Sequence, residues 1–179
     1  MKKALMITAV LTATPLVAGL YGVLHDQLTY TVAPEYYTCF KFPQFGLSPE
    51  LVAIPRLGAA AVGFLATWWI GIPIGLGLAV VLLFHPAGAI LRAYLKGMLV
   101  LICTALAFGL AGLMLGFLFF ARMADNWLLP EGVTQAGRFI AVGCMHNGSY
   151  LGGLVGLILA ILHLVRNRKV AISTITVSK

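Results

Sequence analysis

Residues 139–164 read FIAVGCMHNGSYLGGLVGLILAILHL and contain no Asp, Glu, Lys or Arg. An α-helix needs about 20 apolar residues to cross the roughly 30 Å hydrocarbon core of a bilayer, and this run exceeds that length. Three further uncharged runs meet the same requirement, at about residues 4–24, 57–84 and 97–121. Because lipid offers the backbone no hydrogen-bond partner, each run is expected to be helical. The sequence therefore predicts an all-α membrane protein, a bundle of four transmembrane helices that forms a single membrane domain over residues 1–179.

The overall composition supports the same class. Of 179 residues, 61% are hydrophobic and 9% are charged, whereas about a quarter of the residues in an ordinary soluble domain are charged. A soluble fold of this length has too little interior to bury so much apolar surface, so the expected partner is the lipid bilayer. The formal net charge of +7 does not call for nucleic acid as a partner, because membrane proteins concentrate basic residues on their cytoplasmic side.

The distribution of charge predicts the orientation of the four helices. One side would carry eight basic residues and no acid: Lys2, Lys3, Arg92, Lys96, Arg166, Arg168, Lys169 and Lys179. The other side would carry all the acids and four basic residues: Lys41, Arg56, Arg122 and Arg138. The positive-inside rule then places both termini in the cytoplasm, including a tail over residues 165–179, and a loop over residues 25–56 outside.

The first uncharged run allows a second interpretation. Residues 1–19, MKKALMITAVLTATPLVAG, have a basic start, an apolar core and small residues at Ala18 and Gly19, as a cleavable secretory signal does. Cleavage there would leave three spans. The apolar run continues through Leu24, which is long for a signal core, so we expect the first span to be retained.

Glycines recur at intervals of four residues within the predicted spans. They are Gly148, Gly152 and Gly156 in the last span, Gly112 and Gly116 in the third, and Gly71 and Gly75 in the second. Helices in lipid associate largely through close backbone approach at such small residues. Packing within the chain, homo-oligomer formation and docking of another membrane protein are all consistent with these faces. Between the last two glycines, Pro73 should bend the second span.

The loop after the first span begins HDQLTYTVAPEYYTCFKF at residues 25–42. Its two halves are rich in β-branched and aromatic residues with some alternation, and the APE between them is typical of a turn. We therefore expect a short outward β-hairpin on the surface of the bundle. On the simplest interpretation, its aromatic side chains anchor a folded cap at the level of the lipid head groups.

Polar residues at the same end of the bundle form the candidate site. His25 and Asp26 stand where the first span is predicted to end, and the helical rise places His146 about 12 Å inside the outer end of the last span. Ionisable groups at such a depth usually face the bundle interior or a wet cavity. The candidate residues for binding a partner or small ligand are His25, Asp26, Tyr30, Glu35, Tyr37, His146 and Asn147.

Two imidazoles and a carboxylate suit a divalent metal, so His25, Asp26 and His146 are candidate metal ligands. Their spacing matches no recognised ligand motif, and a hydrogen-bonded structural histidine is an alternative interpretation. A further alternative is haem between axial histidines, with His25 and His146 as one pair and His85 and His163 as another.

The cysteines and the catalytic motifs add little. Cys39 and Cys144 both fall toward the outer side, where a disulfide between them is chemically allowed. The sequence contains no CxxC pair, phosphate-binding loop or nucleophile elbow, and it therefore gives no reason to expect an enzyme.

YGVLHDQLTYTVAPEYYTCFKFPQFG at residues 21–46, together with HNGSY at residues 146–150, resembles a group of small, uncharacterised bacterial multi-pass membrane proteins. The resemblance covers most of the chain and implies a location in the bacterial inner membrane, but no activity.

Three functions are consistent with the residues described above. The first is a non-catalytic membrane protein whose outer cap binds a partner or small ligand. The others are a metal- or haem-binding protein that uses His25 and His146, and a channel or transporter for a neutral solute.

Overall fold

The computed structural model describes residues 1–177, with the side chains of all of them except Asp125 and residues 168–177. The described residues are mostly helical and contain no β-strand. The α-helices in chain order are α1 (Lys2–Val32), α2 (Phe42–Phe45), α3 (Pro49–Ala53), α4 (Pro55–Thr67), α5 (Gly71–Leu82), α6 (Ile90–Leu118) and α7 (Ala136–Val177). The described residues also form a π-helix (Tyr36–Lys41) and three 3-10 helices (Trp68–Ile70, Ala87–Ala89 and Phe120–Asn126).

Four helical segments are long and apolar enough to cross a membrane: Lys2–Val32, Pro55–Leu82, Ala87–Leu118 and Ala136–Asn167. This confirms the predicted all-α bundle of four membrane helices. The first span is longer than predicted, and it takes in residues that we had expected in the outer loop. Residues 165–177, predicted as a tail, continue α7, and Ser178 and Lys179 lie outside the described residues.

The four spans pack as two helix pairs. α1 packs along α4 and α5, and α6 packs along α7 over most of its length. Contacts between the two pairs are less extensive. At one end of the bundle the pairs are joined by a buried apolar cluster that includes Leu78, Leu82, Ile90, Met98 and Leu164.

Glycines hold the α6–α7 pair together. Gly148 of α7 packs against the carbonyl of Phe108, and Gly112 of α6 packs against the carbonyl of Cys144. A Cβ atom added at Gly152 would lie 2.6 Å from Phe108 Cβ, closer than two carbon atoms can approach. The glycine spacing read from the sequence therefore marks the seam between these two helices.

The other pair uses glycines in the same way. Gly22 of α1 meets Gly63 of α4, and Gly71 of α5 meets Pro15 of α1. The predicted glycine faces thus serve packing within the chain. Oligomer formation and docking of another membrane protein through these faces stay predictions.

The second span is interrupted in its middle. α4 ends at Thr67, a 3-10 turn covers Trp68–Ile70, and α5 begins at Gly71. Pro73 accounts for the interruption because proline has no N–H for the carbonyl four residues earlier and its ring crowds that carbonyl. That carbonyl belongs to Trp69, so the bend predicted at Pro73 is found just before it.

The predicted β-hairpin is wrong. Residues 28–32, expected to form its first strand, belong to α1, and Tyr36–Lys41, expected to form the second, is a π-helix. The β-branched and aromatic residues that suggested strands have a preference for strands that depends on their surroundings. A lone two-stranded hairpin is marginally stable, whereas a helix satisfies its own backbone groups at the membrane surface.

Residues 36–53 form a helical cap over one end of the bundle, which we call the cap end. Tyr36, Tyr37 and Phe42 of this cap are buried in a cluster with Val62 of α4 and Phe139 of α7. These aromatic side chains therefore point into the protein and not toward the lipid head groups. They tie the cap to both helix pairs.

Candidate functional site

His25 and Asp26 lie side by side near the cap end of α1. Asp26 is about 9 Å, by the helical rise, from the end of the helix at Val32. Both side chains are buried, with exposed fractions of 8% and 4%. His25 Nδ1 lies 3.1 Å from Asp26 Oδ1, so these consecutive residues form one polar pair inside the bundle.

His146 reaches the same carboxylate from α7. This residue is 6% exposed, and its Nε2 lies 3.3 Å from Asp26 Oδ1. The rings of His25 and His146 meet edge to face, with centroids 4.7 Å apart. One potential ligand atom from each of the three residues lies within 4.8 Å of the other two. We call these residues the His–Asp–His cluster.

The hydrogen bond on the far side of His146 fixes how its ring faces Asp26. Its Nδ1 lies 2.9 Å from the carbonyl oxygen of Val142, which can only accept, so Nδ1 carries the hydrogen. Neutral His146 then has a lone pair on Nε2. Nε2 faces Asp26 but has no hydrogen-bond partner among the described residues. Two buried acceptors that face one another are satisfied when a proton or a metal cation lies between them.

His25 is held in a similar way. Its Nε2 lies 3.0 Å from Ser149 Oγ, a hydroxyl that can either donate or accept. When Ser149 accepts, His25 Nδ1 turns a lone pair toward Asp26; when Ser149 donates, Nδ1–H bonds the carboxylate. Both arrangements use the same heavy-atom positions, so the cluster can present either one or two nitrogen lone pairs to Asp26.

Tyrosines surround the cluster. Tyr36 stacks on His146, with centroids 4.9 Å apart and an angle of 27° between the rings. Tyr37 lies 6.5 Å from His146, and its hydroxyl bonds Thr29 of α1. Burial raises the pKa of both tyrosines, which keeps their hydroxyls neutral. The cap therefore covers the cluster with apolar rings and adds no negative charge.

A cavity of about 430 Å³ extends from the cluster into the bundle between the two helix pairs. Its lining is mostly apolar and comes from all four spans; it includes Val17, Trp69, Ile74, Leu101, Ala105 and Leu154. Trp69 and Leu154 are also 54% and 60% exposed on the outside of the bundle. The cavity therefore opens sideways, toward the position that lipid occupies around a membrane protein.

The polar groups of the lining gather at the cap end of the cavity. Tyr21 lines it there, and its hydroxyl is buried with no hydrogen-bond partner among the described residues. His146 Nε2 is the second such atom. Because an unpaired buried polar group costs about 1–3 kcal/mol, native structures normally give it a partner. A polar molecule at this end of the cavity would serve both atoms.

Lys41 is the one basic residue among the described residues that line the cavity. Its ammonium group lies 4.8 Å from the centre of the Phe40 ring and donates to Gln44 Oε1 at 3.0 Å. Burial lowers the pKa of Lys41. Its positive charge partly offsets the negative charge of Asp26 at this end of the cavity.

Glu35 was expected near the histidines and does not lie there. Its carboxylate accepts hydrogen bonds from the hydroxyl and the N–H of Thr134 and from the N–H of Gln135. These residues immediately precede α7, so Glu35 anchors the start of that helix to the cap. The bonds from Thr134 and Gln135 lower the pKa of Glu35.

Two other predicted binding residues also lie outside the cavity. Asn147 follows His146 on α7 but is exposed on another face of the helix. Tyr30 packs against Tyr37, with centroids 5.6 Å apart, and the guanidinium of Arg56 lies over its ring. Tyr37 is buried beside the cluster, where its hydroxyl interacts with Thr29 and Asp26.

The alternatives that used cysteines or other histidines gain no support from the described residues. Cys39 and Cys144 are free thiols, so the disulfide between them is not formed. His85 bonds the carbonyl of Val81, and His163 bonds Asn167. His25 and His146 both face Asp26, which takes the place that a haem ring between them would need.

The candidate residues predicted from the sequence leave out two that face the cluster, Ser149 and Tyr21. Ser149 lies three residues after His146 in α7, and Tyr21 lies four residues before His25 in α1. Residues three or four apart share a face of an α-helix, so both could have been found by following the helical faces of the two histidines.

Comparison with known proteins adds no further residue to the site. No protein-family model matches the chain, and no curated protein or solved structure shows significant similarity to it.

Proposed function

We propose that this protein is a multi-pass membrane protein of the bacterial inner membrane that binds a small, lipid-soluble molecule with a polar head group. The head group would lie at the His–Asp–His cluster and the apolar part in the cavity. One observation carries the proposal. A cavity of about 430 Å³ opens sideways between the two helix pairs, and two buried, unpaired polar atoms belong to residues at its cap end.

The size and lining of the cavity support a small-molecule ligand. Ligand pockets in proteins usually have volumes of about 300–1,000 Å³, a mostly apolar lining and a few placed polar groups. This cavity has all three properties, and its polar groups are confined to one end. An amphiphile fits such a distribution better than a uniformly polar or uniformly apolar molecule.

The unpaired atoms indicate the chemistry of the head group. The Tyr21 hydroxyl can donate a hydrogen bond, and the lone pair on neutral His146 Nε2 can accept one. A hydroxyl group of the ligand would satisfy both atoms, because it accepts from one and donates to the other. The opposite charges of Asp26 and Lys41 at this end of the cavity favour an uncharged head group over an ionic one.

The charge distribution supports an orientation for binding. The positive-inside rule assigns the cap end to the outer face of the membrane. The head group would then lie within the outer half of the bilayer, and the ligand would enter from the outer leaflet between Trp69 and Leu154. The rest of the ligand would extend toward the membrane centre.

Binding fits the packing better than conduction of a neutral solute does. Below the cavity, the bundle is filled by a buried apolar cluster that includes Leu78, Leu82, Ile90 and Leu164. A solute at the cap end would have to displace this packed core to reach the other side. This packing supports a binding site over a transmembrane pore.

Gly153 provides a direct test of the proposal. It lines the cavity, and a Cβ atom added there would meet no other atom within 4 Å. Gly153→Leu should therefore fill the cavity without disturbing the seam between α6 and α7.

The probe for ligand binding is a brominated long-chain alcohol, which quenches tryptophan fluorescence at short range. It is added to the purified protein in lipid nanodiscs. Trp69 at the opening is the reporter, with Trp68→Phe and Trp127→Phe removing the other two tryptophans.

We expect saturable quenching of Trp69 in the reporter protein and at least a tenfold weaker effect in Gly153→Leu. Gly88→Leu is the matched control, because Gly88 also has open space around it but lies in the turn before α6. The alcohol should quench Trp69 in this variant as strongly as in the parent. Quenching that rises linearly with alcohol and is identical in all three proteins would mean only partition into lipid, and the proposal would be wrong.

A further inference from the structure

We propose that His25, Asp26 and His146 together bind one divalent transition-metal ion of the zinc type at the cap end of the cavity. This inference rests on the proposed ligand site and deepens it: with the ion bound, His146 Nε2 would bind the metal and not the head-group hydroxyl, which would then contact the open position of the ion. The ligand atoms would be His25 Nδ1, Asp26 Oδ1 and His146 Nε2.

The distances between these atoms already approach those of a tetrahedral site. Zinc lies about 2.0–2.2 Å from imidazole nitrogen and carboxylate oxygen, so neighbouring ligand atoms around it are about 3.4 Å apart. Asp26 Oδ1 lies 3.1 Å from His25 Nδ1 and 3.3 Å from His146 Nε2. All three ligand atoms lie within 4.8 Å of one another. Binding would therefore bring the two imidazoles closer together by as much as about 1.4 Å.

A second observation concerns the hydrogen bonding of His146. His146 is more than nine-tenths buried, and its Nε2 faces Asp26 with no hydrogen-bond partner among the described residues. The bond from Nδ1 to Val142 fixes the lone pair on Nε2. At 3.3 Å the two atoms are close enough for a hydrogen bond but are not aligned for one, so the Nε2 lone pair points to one side of Asp26 Oδ1, where a cation could contact both atoms.

The outer contacts of both imidazoles match those of metal ligands. A metal-bound histidine almost always donates its other ring N–H to a carbonyl, a carboxylate or water, which fixes the ring and its tautomer. His146 donates to the Val142 carbonyl, and His25 Nε2 lies within hydrogen-bond distance of Ser149 Oγ. When Ser149 accepts, both imidazoles have a lone pair on the nitrogen that lies beside Asp26 Oδ1.

The ligand set favours one class of metal. Imidazole nitrogen suits zinc and its neighbours among the first-row transition metals, whereas magnesium and calcium prefer oxygen ligands throughout. Three protein ligands also leave a fourth position open, as in catalytic zinc sites. Here that position would face the cavity, where the head group of a bound amphiphile or a water molecule could occupy it.

Zinc binding can be measured on the full-length protein in mild detergent. The protein is stripped with EDTA, exchanged into buffer with ZnCl₂, freed of excess metal by gel filtration and submitted to elemental analysis. We expect about one zinc ion per chain, and less than a fifth of that in His146→Gln and Asp26→Asn. His85→Gln is the matched control, because His85 is buried and bonds its own helix in the same manner but is not part of the cluster.

A spectroscopic measurement keeps the test decisive if the variants fold poorly. Co²⁺ added to the stripped parent protein should give the intense visible bands of a four-coordinate site, and ZnCl₂ should abolish them. Zinc content that is zero in the parent, or unchanged in His146→Gln, would overturn the proposal. The cluster would then be stabilised by hydrogen bonds and not by a metal ion. Gly153→Leu should retain zinc, so failure of the metal site and failure of the amphiphile site are distinguishable.

Discussion

His146 Nε2 of α7 lies 3.3 Å from Asp26 Oδ1 of α1, and this contact joins the two helix pairs at the cap end. The contact of His25 Nε2 with Ser149 Oγ, at 3.0 Å, makes a second polar connection between the same helices. Apolar packing joins the pairs at the opposite end of the bundle. The His–Asp–His cluster therefore closes one end of the cavity and also holds the two pairs together.

Asp26→Leu should lower the stability of the protein. The substitution removes the carboxylate to which His25 Nδ1 hydrogen-bonds, and a buried group left unpaired in this way costs about 1–3 kcal/mol. Thermal unfolding in detergent at fixed pH and without added metal is the measurement. Glu131→Gln, which removes an exposed acid, should leave the melting temperature unchanged. An Asp26→Leu protein as stable as the parent would show that the cluster does not hold the helix pairs.

Two adjacent glycines should respond in opposite ways to the same substitution. In Gly152→Ala, the new Cβ would lie 2.6 Å from Phe108 Cβ and 2.9 Å from Ala105 Cα, so α6 and α7 must separate. Overpacking of this kind costs about 1–3 kcal/mol. In Gly153→Ala, the new atom meets open space, and alanine is the better helix former by up to about 1 kcal/mol.

Melting temperatures of the two alanine variants, measured side by side, test whether the α6–α7 seam lies where we describe it. We expect Gly152→Ala to melt below the parent and Gly153→Ala to melt at or above it. Equal destabilisation by both would mean that Gly153 is also packed against a neighbouring helix, and the cavity would then be smaller than described.

The spans could be predicted from sequence because the physical constraint on them is simple. A bilayer requires long, apolar helices whose backbone groups hydrogen-bond within the helix. Uncharged runs of sufficient length in the sequence predict such helices directly. The depth of His146 in its run also predicted a polar site inside the bundle, and its proximity to His25 and Asp26 is present in the structure.

The end of α1 could not be predicted in the same way. α1 passes through the polar residues His25, Asp26 and Gln27 because each finds a partner on another helix or segment. For Gln27 that partner is the Arg56 carbonyl, at 2.8 Å. Such partners are distant in sequence, so local polarity was interpreted as a loop. The role of Glu35 was hidden for the same reason, since its hydrogen-bond donors precede α7.

Glu35 should make the stability of the cap dependent on pH. Its pKa is lowered in the folded protein from an ordinary value of 4.5 by the hydrogen bonds from Thr134 and Gln135. A lowered folded-state pKa contributes stability that is fully present above the unfolded-state value and is lost as the pH falls through the folded-state value. The contribution is thus complete at pH 7 and declines below about pH 4.5.

Thermal unfolding of Glu35→Gln and the parent at a series of pH values tests this dependence. At pH 7 the variant should melt at a lower temperature, because a neutral amide is a weaker acceptor than a carboxylate for the same donors. The difference should shrink as the pH falls below 4.5, where the parent loses its charge. If the two melting temperatures differed by the same amount at every pH, the lower stability of the variant would come from the shape of the side chain and not from its charge.

The orientation inferred from charge can be tested with two single cysteines in a protein whose three native cysteines are replaced. Ser48 is exposed in the cap, and Gly88 is exposed in the turn between α5 and α6, at the opposite end of the bundle. Because the basic residues gather on the side of that turn, the positive-inside rule assigns Ser48 to the outside and Gly88 to the cytoplasm. A membrane-impermeant maleimide applied to intact spheroplasts should therefore label Ser48→Cys at once, and Gly88→Cys only after the membrane is permeabilised. The reverse labelling pattern would mean that the bundle has the opposite orientation in the membrane. The cavity would then open to the inner leaflet, and the proposed ligand would have to enter from the cytoplasmic half of the bilayer.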